Sequence, residues 1–256
     1  MKVYDKAVVE KAGNIGEGVY ELYLSTEAAK YAKPGQFLMI YPEDKSSILP
    51  RPISICEMIG KKVIRVVYRV VGKGTREFSG YHAGDEVKIM GPLGNGFPLD
   101  MAKGKRAMLI GGGIGVPPIL ELSKRLTKEN IITVLGYRND DLFLRKDFSK
   151  YSKTVIASED GSVGTKGNVL DAIKAKNIEC DVIFACGPMP MLKAIKQYAD
   201  EKGIPAYISL EERMACGVGA CLGCVCKTVK KDEHSHVNNA RVCTEGPVFL
   251  ASEVDI

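Results

Sequence analysis

Five cysteines lie close together near the C-terminal end of the chain, in the segments "RMACGVGACLGCVC" and "RVCTEGPVF". Four of them have the spacing C-x4-C-x2-C and then, after eighteen residues, a fourth cysteine. This is the plant-type pattern of thiolates that hold a [2Fe–2S] cluster. The residues between the first three are mostly glycine and alanine, which let backbone amides approach the sulfurs. We therefore predict a cluster whose ligands are Cys216, Cys221, Cys224 and Cys243.

A structural zinc site is the alternative for the same segment. It would use Cys221 and Cys224 together with His234 or His236. That set of ligands leaves Cys216 without a role, so the sequence favours the cluster. Cys226 is not required by the pattern, and we expect it to be a packing residue.

A glycine-rich turn, "IGGGIGVPP", follows an apolar segment and precedes a helical one. It departs from the strict G-x-G-x-x-G fingerprint, because Val116 stands in place of the third glycine. Glycines still let the backbone come close to a pyrophosphate, and a helix N-terminus favours its negative charge. We predict a dinucleotide site at this turn, formed by Gly111, Gly112, Gly113 and Gly115.

A second candidate site is the segment "FACGPMPM", which ends another apolar strand. Ligands of open α/β sheets bind at the carboxyl ends of the strands. Cys186 is therefore a candidate catalytic residue, whereas Cys56 and Cys180 are expected to be small core residues. His82, in "GYHAGDE", is expected to be an ordinary turn residue.

The elements that must position these residues fall into three regions. The first hundred residues contain short strands rich in valine, isoleucine and tyrosine, bounded by turns such as "KPGQ" and "GPLGNG", and predict a small antiparallel barrel or sandwich. From about Lys105, apolar strands alternate with helices, which predicts a parallel α/β sheet. From about Glu211 glycine and cysteine dominate. The expected α+β multidomain architecture has boundaries at 1–101, 102–211 and 212–256.

The composition excludes several classes of protein. The chain has 256 residues, 45% of them hydrophobic, and a net charge of +5 with both signs interspersed. A nucleic-acid partner needs a concentrated basic face, which is absent from the sequence. The N-terminal segment "MKVYDKAVVE" has no apolar run typical of a signal peptide, and no stretch has the length of a membrane span. We expect a cytoplasmic protein without a membrane partner, whose cysteines stay reduced.

Taken together, the motifs "PGQF", "RPIS", "YRVVGKGT", "GPLGNGFP", "GGGIGVPP", "CGPMP", "EERMACGVGACLGC" and "VCTEGPVF" resemble one family over essentially the whole chain. This family is that of the electron-transfer subunits of type B dihydroorotate dehydrogenase, which are ferredoxin-reductase-like flavoproteins. The resemblance implies FAD on the barrel, NAD on the α/β domain and a [2Fe–2S] cluster near the C-terminus.

The resemblance also implies roles for individual residues. Arg51 suits the FAD pyrophosphate because its guanidinium forks onto phosphate oxygens. Ser54 would hydrogen-bond near the reactive edge of the flavin and is a candidate catalytic residue. Ile53 stands where many relatives have tyrosine, so an aromatic ring stacked on the flavin must come from elsewhere or be absent. The remaining flavin residues would be Pro52, Val67, Tyr68, Arg69, Gly74 and Thr75, and the nucleotide residues of the second motif Gly187, Pro188 and Met189.

The function implied is the passage of electrons from a partner subunit to NAD⁺ during pyrimidine (UMP) biosynthesis. In the full enzyme, dihydroorotate would reduce FMN in a catalytic subunit, and the electrons would pass through the cluster and FAD to NAD⁺. The expected assembly is a heterotetramer with two copies of each subunit. The apolar residues of the cysteine segment, Val218, Leu222 and Val225, are candidates for the docking surface or for packing within their own domain.

Two rival functions follow from the same motifs. One is the small flavin and iron–sulfur subunit of an NADH-dependent ferredoxin:NADP oxidoreductase or of a sulfide dehydrogenase. The other is a non-enzymatic iron–sulfur carrier or sensor, which would not need the glycine turn. For the nucleotide, the segment "GYRNDDLF" favours NAD over NADP, because Asp140 and Asp141 would repel a 2′-phosphate, although Arg138 would attract one.

Overall fold

The computed structural model describes residues 2–231 and 236–256, which form a barrel, an α/β layer and a cysteine-rich segment between them. The strands are β1 (Val3–Gly16), β2 (Val19–Ser25), β3 (Phe37–Tyr41), β4 (Arg51–Ile59), β5 (Val63–Arg69), β6 (Glu86–Leu93), β7 (Ala107–Gly112), β8 (Ile131–Tyr137), β9 (Lys153–Ser158), β10 (Thr165–Lys166), β11 (Val182–Cys186), β12 (Ala206–Ser209), β13 (Val225–Lys227), β14 (Asn239–Arg241) and β15 (Val248–Leu250). The helices are α1 (Lys73–Phe78), α2 (Pro117–Arg125), α3 (Arg145–Phe148), α4 (Val169–Ala175) and α5 (Met189–Lys202).

The first six strands close into an antiparallel barrel in the order β1-β2-β5-β4-β3-β6. Its interior is filled by aliphatic side chains with no exposure to solvent, among them Leu22, Leu38 and Ile55. The prediction of a small antiparallel barrel is confirmed. The short helix α1 was not predicted, since six residues are too few to display a helical hydrophobic period.

The α/β layer is a seven-stranded sheet in the order β10-β9-β8-β7-β11-β12-β15. The five strands predicted from the apolar runs are all present in it, and the connecting helices α2, α4 and α5 lie where the sequence placed them. Two strands were not predicted. β10 is only two residues long, and β15 comes from the C-terminal segment and pairs antiparallel with β12.

Three adjacent strands bring the predicted nucleotide motifs together. β7, β11 and β12 are neighbours, with Cys186 paired to Gly111 on one side and to Ser209 on the other. Their carboxyl ends therefore lie side by side at one edge of the sheet. Ligands of α/β sheets bind at such an edge.

The cysteine-rich segment is held by the two larger regions. A Cβ atom added at Gly217 would lie 2.9 Å from Cγ of Met39 and 3.1 Å from Cδ1 of Leu93, so the cysteine loop lies directly on the barrel. On the other side, β15 extends the α/β sheet. This explains how so short a segment is ordered.

None of the helices in the part of the chain described by the structure is both long enough and apolar enough to cross a membrane.

Candidate functional site

Two clefts lie next to each other at the boundary between the barrel and the α/β layer. The first, of about 530 Å³, lies between the barrel and the segment after β12, and we call it the barrel cleft. The second, of about 640 Å³, lies over the carboxyl edge of the parallel sheet, and we call it the sheet cleft. Arg69 and Ile114 line both. The two clefts are therefore adjacent at the boundary between barrel and sheet, and we call the pair the groove.

The barrel cleft contains nearly all of the residues that the family resemblance assigns to the flavin. Eight of them line it, namely Arg51, Pro52, Ile53, Ser54, Val67, Tyr68, Arg69 and Thr75. Gly74 lies beneath this wall, where an added Cβ would be 2.9 Å from Nε of Arg51. A side chain at position 74 would displace the guanidinium. The hydroxyl of Thr75 accepts hydrogen bonds from the amides of Val71 and Gly72, which fixes the start of α1.

Tyr68 is the strongest sign that this cleft is built for a polar ligand. The residue is only 2% exposed, and its hydroxyl has no hydrogen-bond partner among the described residues. Burial, and after it the neighbouring Tyr20, raises the pKa of the phenol above its ordinary value. A buried hydroxyl without a partner is costly, and a ligand in the cleft would supply one. The residues present therefore fit FAD.

Aromatic rings do line the barrel cleft, although Ile53 supplies none. Phe37 and Tyr68 both contribute to its wall. The Tyr68 ring is itself held in place, since it stacks on Tyr20 at 6.4 Å and meets Phe78 edge-on at 6.0 Å between centroids.

One wall of the barrel cleft was missed by the sequence analysis. It is the segment that leaves β12 and runs towards the first cysteine, together with Pro247 from the C-terminal strand; its lining residues are Ser209, Leu210, Glu211, Glu212, Arg213 and Met214. Met214 is two residues before Cys216, so the cleft and the cysteine loop adjoin. The signal was available, because these residues directly follow the carboxyl end of a predicted strand. The residues around the Glu211 carboxyl shield it from water and so raise its pKa. Glu211 nevertheless keeps an exposed surface, which lines the barrel cleft.

The glycine turn forms the floor of the sheet cleft and is packed too tightly for side chains. Gly112 and Gly113 line the cleft directly. A Cβ at Gly115 would collide with the carbonyl oxygen of Cys186, and one at Gly111 would lie 2.9 Å from Cα of Val116. The turn after β7 therefore rests on the turn after β11.

Helix α2 contributes less to the sheet cleft than the sequence suggested. Its first two residues are Pro117 and Pro118, which have no N–H to offer, and the amide of Val116 is bonded to the carbonyl of Gly113. The amide donors that face the cleft are therefore those of the glycine turn itself.

The "CGPMP" turn is split between the cleft and the core. Pro188 lines the sheet cleft, Gly187 and Gly112 pack against the side chain of Met191, and Met189 is 36% exposed. Cys186 is only 1% exposed and is not among the described residues that line either cleft. Burial, and after it the charge of Glu211, raises the pKa of its thiol. Its catalytic role remains a prediction.

The far wall of the sheet cleft comes from the loop after β8 and from the start of α4. Arg138, Asn139 and Asp141 all line it, together with Glu159 from the end of β9. Asp140 is exposed and is not part of this wall. Of the two aspartates in "GYRNDDLF", only Asp141 therefore lines the sheet cleft. The preference for NAD over NADP remains a prediction.

The cysteine loop presents backbone amides to its sulfurs. The amides of Val218 and Cys221 each lie 3.4 Å from Sγ of Cys216, and the amide of Gly223 lies 3.5 Å from Sγ of Cys221. The loop achieves this by left-handed backbone at Gly217, with φ of 67°, and at neighbouring positions. Amides directed at sulfur stabilise thiolates, which are the form that binds iron.

The protonation of the cysteines differs around the loop. Burial acts to raise the pKa of Cys216, but the amide hydrogen bonds outweigh it and bring that pKa down to about 6. Burial, followed by the hydrogen bond and charge of Cys224, raises the pKa of Cys243 to about 11. Cys243 follows β14, whose pairing with β13 brings it back to the loop, where the amide of Val242 donates to the carbonyl of Cys224 at 2.9 Å.

The four predicted ligands come from two parts of the chain, and four thiols are the donors that an iron–sulfur cluster takes. For the zinc alternative, His234 lies outside the described residues. Among residues 2–231 and 236–256, no three His, Cys, Asp or Glu side chains, the four cysteines included, are grouped to hold a metal ion, so the choice of a cluster over zinc rests on the cysteine spacing. Cys226 lies on β13, half-buried, and pairs with Ala240.

Similarity to known proteins agrees with this arrangement. Residues 211–255 match the family model for the iron–sulfur cluster binding domain of dihydroorotate dehydrogenase B. The chain is 43% identical to the dihydroorotate dehydrogenase B (NAD(+)) electron transfer subunit of Fusobacterium nucleatum subsp. nucleatum, with 100% of both chains covered. It is also 43% identical to the protein of the same name from Bacillus velezensis, over 96% of each chain.

Solved structures show the same fold. That of an NADH-dependent reduced ferredoxin-NADP oxidoreductase is 29% identical with a TM-score of 0.84, covering 98% of this chain and 90% of that one. A ferredoxin NADP⁺ reductase from Neisseria gonorrhoeae, solved with bound FAD and NADP, shares the fold at 14% identity and a TM-score of 0.64, over 83% of this chain and 94% of that one. Because the sequence similarity to the electron transfer subunits spans the full length, the chain belongs to the family of dihydroorotate dehydrogenase B (NAD(+)) electron transfer subunits.

Proposed function

We propose that this chain is the electron-transfer subunit of an NAD-linked dihydroorotate dehydrogenase, serving pyrimidine biosynthesis. It would deliver to NAD⁺ the electrons that a separate, FMN-containing catalytic subunit removes from dihydroorotate. The observation that carries this proposal is the adjacency of the cysteine loop, the barrel cleft and the sheet cleft. The cysteine loop adjoins the barrel cleft through Met214, and the barrel cleft joins the sheet cleft at Arg69 and Ile114.

The barrel cleft is proposed to bind FAD. When bound there, FAD supplies the chemistry that links a hydride pair on a nicotinamide to single electrons on a cluster. Arg51 would hold the pyrophosphate, because its guanidinium faces the cleft beside the start of α1. Tyr68 and Ser54 would donate or accept hydrogen bonds at the cleft wall. Phe37 and Ile53 would exclude water from the ring.

The sheet cleft is proposed to bind the nicotinamide nucleotide. Gly112 and Gly113 would approach its pyrophosphate, and Pro188 would pack beside it. Since Arg69 and Ile114 belong to both clefts, they would lie where the two cofactors meet. The burial of Cys186 beneath this junction suits a residue that shapes the floor of the site.

The cysteine loop is proposed to be the point where electrons enter. Val218, Leu222 and Val225 are 42%, 61% and 39% exposed, so the side chains around the cluster ligands face outward. An exposed apolar group of this kind next to a redox centre suits a docking surface for the catalytic subunit. We propose a heterotetramer with two copies of each subunit.

The same proposal includes the division of the chain into an FAD region at 1–101, an NAD region at 102–211 and a cluster region at 212–256. It also includes a cytoplasmic location, which is supported by eight cysteines of which none forms a disulfide.

A second candidate function is that of a small subunit in an NADH-dependent ferredoxin:NADP oxidoreductase or a sulfide dehydrogenase. The structural similarity to such an oxidoreductase, at 29% identity, favours it. The chain is more similar in sequence to the dihydroorotate dehydrogenase subunits, at 43% identity, so this function is the second candidate. The two functions differ in the protein that supplies the electrons, so the identity of the partner decides between them.

The first prediction concerns the partner. This chain, purified with its cofactors, should oxidise NADH with an artificial acceptor but should not oxidise dihydroorotate. The reason is that its described part contains one sheet with six parallel strands, too few to close an eight-stranded FMN-binding barrel. Co-expression with the FMN subunit should give a complex that reduces NAD⁺ with dihydroorotate. Dihydroorotate oxidation by the isolated chain would contradict the division of labour.

The second prediction concerns the cluster ligands. Serine at Cys216, Cys221, Cys224 or Cys243 should abolish or strongly reduce the iron and acid-labile sulfide content, because each replaces a thiolate ligand. Cys226→Ser is the matched control from the same segment and should keep both. Iron retention in Cys243→Ser combined with iron loss in Cys226→Ser would show that the fourth ligand has been misassigned.

The third prediction concerns flavin binding. Arg51→Ala should weaken FAD binding about 10–150-fold, the range for one charge-assisted hydrogen-bonding group. Arg76→Ala is the control, because Arg76 is an exposed arginine on α1 that does not line the barrel cleft. The measurement is a fluorescence titration of the apoprotein with FAD. Equal affinity in Arg51→Ala and in the wild-type protein would remove Arg51 from the site.

A further inference from the structure

A hairpin turn of the barrel reaches across to the sheet cleft. The turn between β1 and β2 contains Gly16, Glu17 and Gly18, and it meets the loop that follows β8. The amide of Glu17 donates a hydrogen bond to Oδ2 of Asp141 at 2.7 Å, although the two residues are 124 positions apart in sequence. This contact joins the barrel to the α/β layer at the rim of the groove, and we call it the hairpin latch.

The latch leaves no room for a side chain at Gly16. A Cβ atom there would lie 2.8 Å from each carboxylate oxygen of Asp141, closer than a carbon atom normally approaches. At Gly13, in the same strand, an added Cβ would have no atom within 4 Å. Neither glycine has left-handed backbone. The close approach to Asp141, rather than backbone conformation, therefore requires glycine at position 16.

The latch also holds Arg69. Nη1 of Arg69 donates to the carbonyl oxygen of Glu17 at 2.9 Å. Glu17 is thus fixed at both ends of its backbone, with its N–H on Asp141 and its C=O on Arg69. Arg69 is one of the two residues shared by the barrel cleft and the sheet cleft. The position of its guanidinium therefore depends on the turn that Asp141 holds.

Asp141 is itself oriented by its own loop. Its amide donates to Oδ1 of Asn139 at 3.1 Å, and both residues line the sheet cleft beside Arg138 and Glu159. One carboxylate oxygen is engaged with the barrel and is not free to act on a ligand. Asp141 therefore has a structural contact with the barrel in addition to any repulsion of a 2′-phosphate.

We propose that Asp141 is a positioning residue for the nicotinamide nucleotide, acting through the Glu17 peptide on Arg69. This inference rests on the proposed function, in which the sheet cleft binds NAD(H). The latch holds the guanidinium of Arg69 at the junction of the two clefts. Because this side chain is already ordered, the nucleotide binds without the loss of side-chain entropy that ordering it would cost. Its role depends on the acceptor oxygen of Asp141 and not on the negative charge.

Two pairs of variants separate these contributions. Asp141→Asn removes the charge but keeps an oxygen that accepts from the Glu17 amide, whereas Asp141→Ala removes both. Gly16→Ala pushes the turn away from Asp141, whereas Gly13→Ala adds the same methyl group to the same strand in open space. Each variant is purified with its cofactors, and its FAD content, NADH dissociation constant, KM for NADH and kcat with an artificial acceptor are measured.

We expect Asp141→Ala and Gly16→Ala to weaken NADH binding and raise KM about threefold to tenfold, roughly the contribution of one hydrogen bond. Their kcat and FAD content should stay close to those of the wild-type protein, since Arg51 and the residues of the flavin wall other than Arg69 are untouched. Asp141→Asn and Gly13→Ala should remain within about twofold of wild type. A loss in Asp141→Asn as large as that in Asp141→Ala would overturn the proposal, because charge would then be the cause.

Unchanged NADH binding in Asp141→Ala and Gly16→Ala would also overturn it, by showing that the latch does not act on the nucleotide. A general loss of folding would appear as a changed far-UV circular dichroism spectrum of the variants and would likewise count against a positioning role. Failure of the proposed function has a different signature, because the wild-type protein itself would then bind no NADH, and both proposals would fall together.

Discussion

Buried charges at the boundary between barrel and sheet fix the geometry on which the groove depends. Glu121 on α2 has no exposure, and it accepts hydrogen bonds from the amide of Met58 on β4 at 2.8 Å and from Arg125. Arg65 on β5 is 6% exposed and pairs with Glu21 at 2.6 Å and with Asp147 on α3 at 3.1 Å. Removing one member of a buried pair leaves the other uncompensated, at a cost of about 3–5 kcal/mol. The two regions therefore have one favoured arrangement, in which their clefts meet.

The C-terminal segment is positioned by the same frame. It is too short to fold alone. It is held instead by two contacts, the pairing of β15 with β12 and the packing of Gly217 on the surface of the barrel. The segment that follows β12 becomes a wall of the barrel cleft, ending at Met214. The order of the sites in space therefore differs from their order in the chain, because the cysteine loop at the C-terminal end lies beside the flavin cleft, and the flavin cleft lies beside the nucleotide cleft. Electron transfer requires the redox groups to lie close together, and it needs few acid–base side chains.

Sequence patterns predicted the features that are local. The cysteine spacing, the glycine turn and the valine-rich strands each depend on residues close in the chain, and the barrel and parallel sheet follow from them. The contacts that complete the groove are not local. Glu17 and Asp141 meet across 124 positions, and Glu211 reaches the barrel cleft only because β12 lies at the end of the β7-β11-β12 set. β15 is three residues long, too short for a periodic signal. Contacts between residues this far apart in the sequence, and strands this short, can be identified only in the folded structure.

The central claim is that one chain connects a nicotinamide site to an iron–sulfur site through a flavin cleft. The most direct test is an anaerobic titration of the isolated, cofactor-loaded protein with NADH, followed by visible absorption and low-temperature electron paramagnetic resonance. The account predicts that NADH bleaches the flavin bands and also produces the signal of a reduced [2Fe–2S] cluster in the same sample. Bleaching of the flavin with a cluster that stays oxidised towards NADH, yet is reduced by dithionite, would contradict it.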